Sequence, residues 1–264
     1  MLPQVKTYRD NELYLILNET CKMFNEAQDK LDFKNIAVKN NITNTVWALV
    51  LLSFRLRWLC ESILSCTEYY SVSVIYRAFI EHSVKHKYIL ISCIKKGDDI
   101  GKEYVSSEHM SYEMLQKFLR IQWPSSFQSP GKLLKPDEFN EFKRRARETA
   151  NQFKFSEVMT SILGLLDQYY DDEIQKVLRS IIIDYSTLSS YVHAGPIAVL
   201  DLEKKPKKNI DMGSMLLTTI AYNDIIRLLS LFPSEHQDKL KTLNKRIDGK
   251  VKKALAIYGK NYIS

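Results

Sequence analysis

Glycine and proline are what this sequence has least of, at 8 and 7 in 264 residues. Residues 4–96 contain neither. A many-stranded fold needs many turns, so this scarcity excludes a β-sandwich or barrel and favours long helices. The four cysteines, Cys21, Cys60, Cys66 and Cys93, include no C-x-x-C pair. They read as reduced, buried thiols of a cytosolic protein rather than a disulfide scaffold. No cluster of glycines builds a phosphate loop and no G-x-S-x-G elbow is present, so neither P-loop chemistry nor serine hydrolysis is supported. Long apolar runs are lacking too. The best membrane candidate, residues 40–54, is too short and is followed at once by Arg55, Arg57 and Glu61. The N-terminus MLPQVKTYRDNE is too polar for a signal peptide. The expectation is a soluble, cytoplasmic chain with no membrane partner.

What the sequence does contain is helical periodicity. The pattern predicts helices over about 10–31, 43–66 and 71–96, the last stopped by Gly97, and a fourth from Asp98 to about Leu119. Three prolines mark a loop over 123–136, and a fifth helix follows. Further helices are predicted from Ser156 to about Asp167 and from Asp171 to the Gly195-Pro196 stop. After a basic loop over 204–208 come two more, about 211–231 and 234–258. The fold class is therefore all-α: a bundle of four or more core helices with additional peripheral helices. A single domain spans 1–264, with its core at about 44–202 and a C-terminal helical extension at about 211–258. The length suffices for a real core. A net charge of +7 fits an anionic partner such as nucleic acid, although a modest lysine excess is also ordinary.

The stretch 71–96 is apolar almost all round, which marks a central, buried helix. Within it Arg77 and Glu81 share a face with Val74, Ile80, Val84, Tyr88 and Ile91. The helix from Asp171 repeats the anomaly. Tyr185, Ser189 and His193 fall at intervals of four on the side of Ile174, Leu178, Ile181 and Ile182. Buried polar groups need partners, so the simplest arrangement sets these two ladders against each other. Either they form a satisfied network that fixes helix register, or they line a pocket in which an arginine binds an anion and a histidine moves a proton.

Arg77 and His82 also have the spacing R-x4-H. With the phrases YRAFIEHSVKHKYIL and, about a hundred residues later, YSTLSSYVHAG, the chain resembles the HEPN superfamily of α-helical proteins and its bacterial defence-associated members. The resemblance covers about 44–202. It implies a homodimer that cleaves single-stranded RNA through the ribose 2′-hydroxyl, without metal or cofactor, in a defence or toxin setting. A regulatory protein is a further candidate partner. In that scheme Arg77 stabilises the phosphorane-like transition state and His82 is general acid or base. Five positions on a straight helix turn His82 about 140° from Arg77, so His193 stands as the competing base. The alternative is a catalytically silent HEPN-like module binding a nucleotide, RNA or a protein through the polar pocket of Arg77, Glu81 and His193.

His82 and His86 are four apart and adjoin Glu81, but no third ligand has recognisable spacing and Lys85 and Lys87 disfavour a cation, so no metal site is expected. Two basic stretches are candidate RNA-binding elements. Lys143, Arg144, Arg145 and Arg147 sit on a helix among Glu138, Glu141 and Glu148, and otherwise read as a solvated face. Lys204, Lys205, Lys207 and Lys208 form a loop with fewer compensating acids, suited to phosphate contacts.

Overall fold

The computed structural model describes residues 8, 11–108, 140–141, 144, 148, 153–192 and 207–262. All regular structure among them is helical, as an all-α bundle requires. The elements are α1 (Glu12–Lys30), α2 (Phe33–Lys39), α3 (Thr43–Ser65), α4 (Tyr69–Lys96), α5 (Phe155–Leu163), α6 (Leu166–Tyr169), α7 (Asp172–Val192), α8 (Lys207–Leu231) and α9 (Gln237–Tyr262). Residues 101–108 are also helical. No helix among the described residues is long and apolar enough to cross a membrane.

Local chemistry sets the ends. Asn11 caps α1 by accepting from the Leu13 amide at 2.9 Å. Glu68 caps α4, accepting from the amides of Tyr70 (2.8 Å) and Ser71 (2.6 Å), which starts that helix two residues earlier than its periodicity suggests. Gly97 closes it in the left-handed conformation (φ 73°), where a side chain would be strained. The short α2 had no periodic signature. It is opened by Asp32, whose φ of 45° turns the chain and whose carboxylate accepts from the Asn35 amide.

The N-terminus of α3 is capped from a distance. Asp99 accepts from the amides of Asn44 (3.2 Å) and Thr45 (2.6 Å) and from the Asn44 side chain (2.8 Å). Gly101 lies against the same turn, its amide donating to Thr45 Oγ1 at 3.0 Å.

The centre of the fold lies elsewhere than periodicity put it. α8 packs against α1, α3, α4 and α9, and every residue from Met212 to Ile226 is buried. The helix expected in a C-terminal extension is thus the axis of the core, with α4 beside it and α5 and α7 packed against α4. α8 begins at Lys207, four residues before the expected start, so Lys207 and Lys208 are its first turn rather than part of a loop. Small residues, Gly213, Ser214, Thr218, Thr219 and Ala221, allow neighbours to approach α8 on all sides.

Candidate functional site

Two polar clusters interrupt the apolar interior. The first joins α4 to α7. Glu81 accepts from the Tyr185 hydroxyl at 2.8 Å. An Arg77 Nη group donates to that hydroxyl at 3.4 Å, and Arg77 Nε lies 3.6 Å from the Glu81 carboxylate. The guanidinium sits 5.4 Å from the Tyr185 ring centroid, while Phe155 of α5 stacks on Tyr185 with centroids 3.7 Å apart. Tyr185 is therefore held between an aromatic ring and a cation. One position earlier on each helix, Tyr76 donates to Asp184 at 3.4 Å. Ser189 lies half-buried one turn along α7.

This cluster is wet on one side, since the Arg77 and Glu81 side chains keep 24% and 31% of their exposure. Its cation is poorly satisfied. The Nε–Glu81 contact is too long for a hydrogen bond, and Nε is enclosed without another partner among the described residues. Partial burial pushes the Tyr185 hydroxyl up from its ordinary pKa, with Arg77 opposing and Glu81 adding to the rise. The phenol stays protonated and donates.

His82 has other neighbours. The charges acting on it are Lys85, Arg55, Glu108 and, least, Glu81, whereas Arg77 is engaged by α7. Burial, then Lys85 and Arg55, lower its pKa, and its Nδ1 is enclosed without a hydrogen bond among the described residues. The turn between the R-x4-H residues thus gives them different neighbours, with Glu81 alone acting on both. His193, Lys143, Arg145, Arg147, Lys204 and Lys205 lie outside the described residues. Arg144 is exposed and bound by Glu141 (3.0 and 2.8 Å) and Glu148 (2.7 Å), as a solvated helix face would have it. Lys207 is paired with Asp211 at 2.7 and 2.9 Å, so its charge is already engaged. Lys208 is exposed beside it.

The second cluster is one that the sequence reading missed. Lys87 of α4 and Asp224 of α8 form an ion pair at 2% side-chain exposure each. Tyr170 donates to the same carboxylate at 3.1 Å, and its ring centroid lies 5.3 Å from the Lys87 ammonium. His86 Nδ1 is 3.8 Å from that oxygen, and its Nε2 is 3.2 Å from Ser53 Oγ. Burial lowers the pKa of Lys87 and raises that of Asp224, the pairing opposing both shifts. Asp224, a lone acid in an otherwise apolar run, was the available signal.

No family model, no curated protein and no solved structure matches this chain.

Proposed function

We propose that this chain is an HEPN-like helical module that engages single-stranded RNA through the Arg77, Glu81 and Tyr185 patch. The observation that carries this is the state of Arg77. Its guanidinium is fixed against an aromatic ring, reaches solvent, and among the described residues makes one long hydrogen bond. A phosphate offers the bidentate acceptor that such a group lacks, and a positioned arginine is well suited to it. The net charge of +7 favours the encounter.

Metal-independent cleavage of that RNA, in a bacterial defence or toxin setting, is a second reading. It is favoured by His82, an imidazole whose Nδ1 has no hydrogen-bond partner among the described residues. His193 remains the competing base.

Binding of a labelled single-stranded RNA, followed by anisotropy, tests the first reading: Arg77→Ala should lose affinity and flatten the salt dependence. Incubation of the same RNA in EDTA tests the second. Cleavage lost in His82→Ala or His193→Ala supports it, and intact RNA with the unaltered protein refutes it.

A further inference from the structure

α9 holds most of the chain's excess charge. It carries eight lysines and arginines against two acids, Asp238 and Asp248, a net +6 in a chain whose whole net charge is +7. One side of the helix is in the core through Leu240, Ile247, Val251 and Ala254, so the cations crowd onto the outer side. In the C-terminal half Lys250 is bound by Glu19, Lys253 by Glu12 (2.8 Å) and Lys252 by Asp248 (3.2 Å). In the N-terminal half Lys239, Lys241, Lys245 and Arg246 are exposed and form no ion pair among the described residues.

At about 100° per residue these four straddle a ridge formed by Thr242 and Gly249, with Lys239 and Arg246 on one side and Lys241 and Lys245 on the other. Both ridge residues are exposed. Gly249 has no packing role within the fold. Glycine weakens a helix interior, and a Cβ at this position would meet nothing within 4 Å. A bare backbone amid a charged face suits close approach by something from outside. Asp238 stands apart from the four, in the first turn, where a carboxylate complements the helix dipole. The described residues of α9 expose no large apolar or aromatic side chain, so this face offers single-stranded bases no stacking platform and a membrane no anchor.

We propose that the N-terminal half of α9 is a docking surface for duplex DNA, held by its phosphates. The major groove of B-form DNA is about 12 Å wide and admits an α-helix. A helix seated there with Thr242 and Gly249 toward the floor brings one pair of cations to each wall of phosphates. Duplex RNA fits less well, because its major groove is deep and narrow. Phosphate contacts carry no sequence information, and the ridge has few groups that read base edges, so binding is indifferent to sequence. The surface is distinct from the Arg77 patch and does not rest on the reading of that patch as an RNA site.

Anisotropy of a labelled, mixed-sequence DNA duplex titrated with the full chain tests it. With four phosphates engaged, log affinity should fall against log salt with a slope of roughly −3.5, which is about 100-fold between 50 and 200 mM. Lys245→Gln should reduce that slope by about one. Replacing Lys239, Lys241, Lys245 and Arg246 together by Gln should abolish binding with helix content unchanged. Gly249→Leu, which only fills open space, should weaken binding although no charge is altered. A duplex that is not bound at the lower salt, or is bound as tightly by the fourfold variant, overturns the proposal. Binding lost in Arg77→Ala but kept in the fourfold variant places the contact at the Arg77 patch and overturns it as well. Gly249→Leu that binds like the unaltered chain, or an RNA duplex of the same sequence bound equally, overturns seating in the groove.

Discussion

Lys87 and Asp224, 137 positions apart in sequence, close a buried ion pair between α4 and α8. Both pKa shifts run toward the neutral forms, so desolvation outweighs the attraction between the two groups. The pair therefore fixes how the two helices meet more than it stabilises them. Asp224→Asn should cost about 3–5 kcal/mol by leaving a buried ammonium unpaired. The triple change Lys87→Met, Asp224→Leu and Tyr170→Phe should restore the stability of the unaltered protein or exceed it. Urea denaturation of both variants checks this.

His86 makes stability depend on pH. Complete burial, then Lys87, hold its pKa well below 6.5, with Ser53 and Asp224 as its other polar neighbours. The unfolded chain binds a proton that the folded chain refuses. The contribution is therefore present above pH 6.5 and is lost as pH falls toward the folded pKa. The expected slope is up to about 1.4 kcal/mol per pH unit, with His82 adding in the same direction. Denaturation midpoints between pH 6.5 and about 5 should fall in the unaltered protein and fall less in His86→Gln.

The junction at the start of α3 tolerates little. A Cβ on Gly101 would lie 2.3 Å from the Thr45 backbone and 2.4 Å from that of Asn44, neither able to swing aside. Gly101→Ala should cost at least about 1–3 kcal/mol, as overpacking does. Asp99→Ala, which removes the distant cap, should cost about 0.5–2 kcal/mol. Thermal unfolding ranks the two.

Tyr185→Phe separates the ring from its hydroxyl. The phenyl ring keeps its place between Phe155 and Arg77, while Glu81 loses a 2.8 Å hydrogen bond and Arg77 a 3.4 Å one. Stability should fall by about 1 kcal/mol, and RNA affinity should fall without loss of helix content. Parallel denaturation and anisotropy measurements separate these effects.

The all-α class and most helix ends were legible in the sequence, because absent glycine and proline, the Gly97 stop and apolar periodicity are all local signals. Arg77, Glu81 and Tyr185 could be placed on facing helices since each breaks an apolar stripe at helical spacing. The pair of Lys87 and Asp224 could not be read in the same way. Lys87 follows His86 and Lys85 and so resembles a solvated surface, and nothing local links it to a residue 137 positions away. The central place of α8 was hidden too. Its all-round burial depends on which helices gather about it, and its periodicity says nothing of that.

RNA binding by Arg77→Ala measures the central claim most directly. Charge-assisted hydrogen bonds contribute about 1.5–3 kcal/mol, so the variant should bind single-stranded RNA roughly 10–100-fold more weakly while keeping its helical spectrum. Arg77→Lys should recover only part of this, because an ammonium lacks the planar fork. An Arg77→Ala protein that is folded and binds RNA as tightly as the unaltered chain would contradict the account.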